Sequence, residues 1–169
     1  SESGLAAVVS NAGGAGIIGS GGRSVEWVQG EIRTAKTLTI KPFGVNIVML
    51  DRLKDEIVEM VCEEKVDFVT MGAGNPLPYM DKLRQAGIKV LPVVPSVKLA
   101  KRVENAGADA VIIEGMECGG HIGSLTTMAL LSNVIPEVSI PVIAAGGIVD
   151  GRGMAAALLL YLTSITRGA

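Results

Sequence analysis

The sequence predicts an α/β fold in which parallel strands are each followed by a helix, in the manner of a (β/α)8 barrel. Three observations carry this. Short β-branched apolar runs alternate with charged amphipathic stretches along the chain. The runs are apolar at nearly every position, as in strands buried on both faces. One joint recurs as Asn11-Ala12-Gly13, Gln85-Ala86-Gly87 and Asn105-Ala106-Gly107, each time where a helical stretch gives way to a strand. Glycine suits the left-handed residue that ends a helix. A joint used three times marks a repeated αβ unit, and repeated βα units build a parallel sheet.

Taken in order, the apolar runs place strands at 15–19, 43–50, 67–71, 89–94, 110–113 and 142–145. Helical patterns lie at 5–10, 25–37, 53–64, 79–85, 97–105, 126–135 and 153–160. The stretch 53–64 shows the logic: Leu53, Ile57, Met60 and Val61 share one stripe, while Asp55, Glu56, Glu59 and Glu63 face away. Strand starts step by roughly 20 to 30 residues, the span of one βα unit. Each strand ends in a polar or glycine-rich turn: Gly19-Ser20, Asn46, Gly72-Ala73-Gly74-Asn75, Pro95-Ser96, Glu114-Gly115 and Gly146-Gly147. A ring of such turns at one mouth favours the barrel over a doubly wound sheet. A complete barrel runs to about 250 residues, and this sequence has 169. The expectation is therefore a partial barrel of about six strands over residues 1–160, lacking the first and last strands, followed by a tail at 161–169.

Composition narrows the function classes. Apolar residues make up 49% and charged residues 19% of the chain, which argues for a packed core rather than disorder. The net charge of −2 gives no reason to expect nucleic acid or a membrane surface as partner. No apolar run approaches the ~18 residues of a membrane span, and no secretory leader is visible at Ser1-Glu2-Ser3. Two cysteines without an export signal read as reduced thiols in a cytoplasmic setting.

The densest chemistry lies in 114–123, Glu-Gly-Met-Glu-Cys-Gly-Gly-His-Ile-Gly, directly after a strand. It holds the chain's single histidine, His121. Imidazole suits proton transfer near neutral pH, and position alone leaves a catalytic and a structural role equally open. The flanking glycines would let backbone approach a planar ligand. Cys118 and His121 are too few ligands for zinc, and Cys118 is a weak candidate nucleophile. Cys62 reads as helix packing.

A second constellation, 144–151 (Ala-Ala-Gly-Gly-Ile-Val-Asp-Gly), runs from a strand toward a helix. Its N–H groups could cradle a phosphate, or the two glycines could serve only a tight turn. Asp150 reads as the helix cap. Asn46 is an amide within an apolar strand. It needs partners, from neighbouring backbone or from a ligand carrying donors and acceptors. Trp27 reads as outer packing, and Lys54, Lys65, Lys82, Lys98 and Lys101 as solvated helix faces.

The segments 43–47 (Phe-Gly-Val-Asn-Ile), 114–123 and 141–148 (Pro-Val-Ile-Ala-Ala-Gly-Gly-Ile) together resemble the FMN-dependent enoyl-[acyl-carrier-protein] reductase II family, a sister of the nitronate monooxygenases. The resemblance covers about residues 4–160. The glycine-histidine loop is the specific part, whereas the Ala-Gly-Gly-Ile turn is shared with many phosphate-binding barrels. Glu114 resembles the reductase branch, since the monooxygenases more often carry glutamine there.

The resemblance implies a (β/α)8 barrel with FMN at its mouth. It implies that Asn46, Glu114, Gly119 and Gly120 approach the flavin, that Gly146 and Gly147 hold its phosphate, and that His121 is the catalytic residue. It implies reduction of trans-2-enoyl thioesters, linked to acyl carrier protein or CoA, by NADH or NADPH, in a homodimer; the alternatives are a nitronate monooxygenase or a non-catalytic fragment of such a barrel. Two departures stand out. The family's opening strand has no counterpart, and Tyr161 to Ala169 do not align with its final strand and second phosphate loop.

Overall fold

The computed structural model describes residues 1–119 and 124–165. It divides into two compact units, Ser1–Leu91 and Pro92–Ala169, and each is described by itself.

The first unit opens with α1 (Ser3–Asn11), which leads into β1 (Gly16–Gly19). Then follow α2 (Val25–Leu38), β2 (Phe43–Val48), α3 (Lys54–Glu64), β3 (Phe68–Gly72) and α4 (Leu77–Gln85). The strands are parallel: Gly19 pairs with Asn46 in β1–β2, and Asn46 pairs with Thr70 in β2–β3. Val45, Ile47, Val69 and Met71 are fully buried with Val28 and Ile32 of α2 and Ile57 and Val61 of α3. The predicted stripe of α3 holds, since Ile57, Met60 and Val61 are buried and Asp55, Glu56, Glu59 and Glu63 are exposed. Leu53 sits just before the helix as its cap residue.

In the second unit, β4 (Lys89–Val94, crossing the boundary), α5 (Val97–Asn105), β5 (Val111–Glu114), α6 (Thr127–Val134), β6 (Val142–Ala145) and α7 (Gly151–Ile165) follow in order. A short 3-10 turn, Ile135–Glu137, extends α6. The strands are again parallel, with Val93 beside Ile112 and Glu114 beside Ala145. Ser96 caps α5 by accepting the Leu99 N–H at 3.3 Å. α7 continues past the expected end at Leu160, because the run from Ala155 to Leu162 holds strong helix formers and no breaker.

The three predicted joints are helix C-caps. Gly13, Gly87 and Gly107 have φ of +92°, +78° and +87°. The next residue donates back across the helix end: Gly14 to Val9, Ile88 to Leu83 and Ala108 to Val103, each at 3.0 Å. A fourth joint of the same kind has no glycine. Lys65 ends α3 at φ 50°, ψ 56°. Its cap bonds are longer, with Val66 N to Val61 O at 3.4 Å. Gly16 has a different reason to be glycine, since a Cβ there would lie 2.0 Å from the Ala6 carbonyl oxygen of α1.

Candidate functional site

The second unit carries Glu114, Gly146 and Gly147 of the predicted residues at the C-terminal ends of β5 and β6. Glu114 ends β5 beside Ala145 of β6. The chain then turns, with Cys118 N donating to Gly115 O at 3.1 Å and Met116 N to Leu125 O at 2.9 Å. This turn lies on the Gly146-Gly147 turn that follows β6. A Cβ on Gly146 would come within 2.9 Å of Cys118 N, and one on Gly147 within 3.1 Å of Glu117 Cβ. Both glycines also have positive φ, +99° and +73°. Glycine is thus required here twice over, by backbone conformation and by close packing.

Glu117 is the fastener. Its Oε2 accepts the Thr127 N–H at 2.9 Å, so it caps α6 from the neighbouring loop. That donated bond holds the Glu117 carboxyl below its ordinary range. Thr127 is itself buried, and its hydroxyl lies 2.9 Å from Gly146 O and 3.2 Å from Ala145 O. The sequence quoted Glu117 within its motif without a role. The signal for one was an acidic residue shortly before a helix that begins on two threonines.

Asp150 caps α7 as expected, accepting the N–H groups of Arg152 and Gly153 at 3.0 Å each. The exposed turn residues Gly147, Ile148 and Val149 offer N–H groups that no acceptor among the described residues takes. Three N–H groups without such an acceptor, in a turn with no charged side chain, suit an anionic oxygen. Their donor set therefore fits a phosphate such as that of FMN.

Burial and the adjacent Glu114 charge push the Cys118 thiol up, which argues against a thiolate nucleophile. Burial likewise raises Cys62, in keeping with packing. Gly119 has open space where a Cβ would stand. Gly120 and His121 lie outside the described residues.

Asn46 belongs to the first unit. It is half-buried in β2, and its Oδ1 accepts the hydroxyl of buried Thr70, its register partner, at 2.8 Å. Its carbonyl oxygen is therefore satisfied by a neighbouring side chain rather than by backbone. The following loop is tied down by Asp51, which accepts the N–H groups of Gly22 at 3.1 Å and Leu53 at 3.0 Å. Arg23 lies over the ring of Trp27, 4.5 Å from its centroid. No group of three metal-ligating side chains exists among the described residues, and none of their helices is long and apolar enough to cross a membrane.

Comparison with known proteins fits this picture. The family model for nitronate monooxygenase matches residues 1–162. The structure is similar to FabK from Thermotoga maritima, with TM-score 0.92 and 55% identity over 94% of this chain and 51% of that one. It is also similar to nitroalkane oxidase from Streptomyces ansochromogenes, with TM-score 0.87 and 30% identity over 95% of this chain and 59% of that one. Among curated sequences, a (3aS,4S,5R,7aS)-5-hydroxy-7a-methyl-1-oxo-octahydro-1H-indene-4-carboxyl-CoA dehydrogenase of Rhodococcus jostii is 40% identical over 97% of this chain and 46% of its own length. The chain spans about half the length of these curated relatives, including a second dehydrogenase of the same name from Mycobacterium tuberculosis. The fold is of the (β/α)8 barrel type, with six of its strands among the described residues.

Proposed function

The chain belongs to the nitronate monooxygenase family, and we propose that the whole protein is an FMN-dependent enoyl thioester reductase. Its substrates are trans-2-enoyl thioesters on acyl carrier protein or CoA, and its reductant is NADH or NADPH. The observation that carries this reading is the 55% identity and 0.92 TM-score shared with FabK. The glutamate at position 114, which resembles the reductase branch, supports it. The 40% identical relative is named for a carboxyl-CoA compound, which supports a thioester substrate.

In this reading the N–H groups of the turn at Gly146 and Gly147 would hold the FMN phosphate. The family resemblance assigns Asn46 to the flavin as well, and within its own unit the Thr70 hydroxyl holds its Oδ1 at 2.8 Å. The family resemblance would set Glu114, Gly119 and Gly120 along the ring, and a Cβ on Gly119 would meet nothing within 4 Å. When bound, FMN would supply hydride chemistry between the nicotinamide and the enoyl chain. His121 supplies the proton taken up at the α-carbon, or donates to the thioester oxygen as enolate charge develops. Cys118 stays a thiol and takes no covalent part. The proposed setting is a cytoplasmic homodimer.

A second reading keeps the same cofactor and residues but uses oxygen to oxidise alkyl nitronates; the matching family model favours it. The purified protein decides between them. Oxidation of NADH or NADPH dependent on crotonyl thioester supports the reductase, whereas oxygen uptake with an alkyl nitronate and none with the enoyl thioester overturns it. A protein that stays colourless after incubation with FMN overturns both readings. His121→Ala is expected to keep its flavin and lose at least about 100-fold in enoyl reduction. Undiminished turnover in that flavin-loaded variant would remove His121 from the mechanism.

A further inference from the structure

We propose that Thr127 is a positioning residue for an anion-binding turn: held by the Thr127 hydroxyl from behind, the Gly146 carbonyl sets the Gly147 N–H toward the phosphate of a bound FMN. This rests on the FMN reading above.

The argument starts from one proton. The Thr127 hydroxyl has a single hydrogen to donate, and three acceptors surround it: Gly146 O at 2.9 Å, Ala145 O at 3.2 Å and Glu117 Oε2 at 3.2 Å. Glu117 is already engaged at 2.9 Å by the Thr127 N–H. The shortest contact therefore assigns the hydroxyl proton to Gly146 O. A peptide group is planar and trans, so the carbonyl of residue 146 and the N–H of residue 147 point in opposite directions. Thr127 is only 2% exposed, whereas Gly147 is exposed. Pulling the carbonyl inward sends the Gly147 N–H outward.

The neighbouring helix makes this orientation matter more. The N–H groups of Arg152 and Gly153 in the first turn of α7 are already taken by Asp150. A phosphate arriving here must therefore be met by the turn itself. Glycine suits residue 147, where φ is +73° and a Cβ would lie 3.1 Å from Glu117 Cβ. One buried hydroxyl thus fixes both the shape of the turn and the direction of its leading donor.

A residue that merely packs α6 would affect every ligand alike, and riboflavin separates the two cases because it keeps the ring and lacks the phosphate. The test is a fluorescence titration of the apoprotein with FMN and, in parallel, with riboflavin. In Thr127→Val the FMN dissociation constant is expected to rise roughly 3- to 10-fold, with riboflavin affinity unchanged. Thr127→Ser, which keeps the donor, is expected to restore FMN binding to within about twofold. Equal losses for both ligands, or no loss for FMN, would overturn the assignment. Should Thr127→Val not fold, Thr127→Ala carries the same comparison. A wild-type protein that binds riboflavin and FMN equally also overturns it, leaving the flavin reading intact. One that binds neither overturns the flavin reading itself.

Discussion

Replacing Lys65 with glycine should stabilise the protein. Lys65 is an exposed C-cap residue held at φ 50°, ψ 56°. A left-handed backbone costs a residue with a Cβ about 1–2 kcal/mol. Glycine relieves that cost but gives up about 0.4–1 kcal/mol through the greater freedom of the unfolded chain. The net gain is about 0.5–1 kcal/mol. The structure shows where the strain falls. The cap bond from Val66 N to Val61 O is 3.4 Å, whereas its three glycine counterparts are 3.0 Å. For a chain of this size 1 kcal/mol moves the midpoint by about 2–4 °C, so Lys65→Gly should melt about 1–4 °C higher. Calorimetry and guanidinium unfolding check this, the latter with a higher midpoint and an unchanged slope. Gly107→Ala is the reciprocal experiment and should cost about 1 kcal/mol or more. An unchanged or lower midpoint in Lys65→Gly, together with a neutral Gly107→Ala, would refute the reasoning.

Two further outcomes follow from packing and charge. Gly44→Ala should cost at least about 2 kcal/mol in denaturant unfolding, because its Cβ would fall 2.4 Å from the Phe68 ring and 2.6 Å from the Phe68 carbonyl oxygen. Glu64 links α2 to α3, accepting from Gln29 Nε2 at 2.9 Å, Arg33 Nε at 2.8 Å and Lys36 Nζ at 3.1 Å. Burial pushes its carboxyl up, and the three donors outweigh this and hold it below its ordinary range. A carboxyl lowered by folding stabilises the native state above the ordinary carboxylate range and loses that contribution as pH falls through it. Glu64→Gln should therefore lower stability at pH 7 by about 1–2 kcal/mol and flatten the acid limb of a stability–pH profile. An equal loss at pH 3 and pH 7 would count against the ion pairs.

The strand order and most helix limits were legible because two signals reinforce each other: continuous apolar runs, and joints whose glycine is demanded by the left-handed cap. The joint at Lys65 was invisible for the complementary reason. Its backbone is set by the chain's need to turn from α3 into β3 and not by the residue's own preference. Asn46 was legible as an odd guest in an apolar strand, but its partner was not. Thr70 lies one strand away, and only parallel register brings the two side by side.

By itself the sequence determined the repeating βα architecture and the three segments on which the family resemblance rests, because periodicity, glycine conformation and local motifs act within a few residues along the chain. The tertiary structure alone decided how those segments work on each other. It set Glu117 as the cap of α6, placed the Thr127 hydroxyl behind the Gly146 carbonyl, and filled the space above both turn glycines with Glu117 and Cys118. These are contacts between residues 10 to 30 positions apart, and nothing in local propensity specifies them. They arise because adjacent parallel strands bring successive turns together at one end of the sheet.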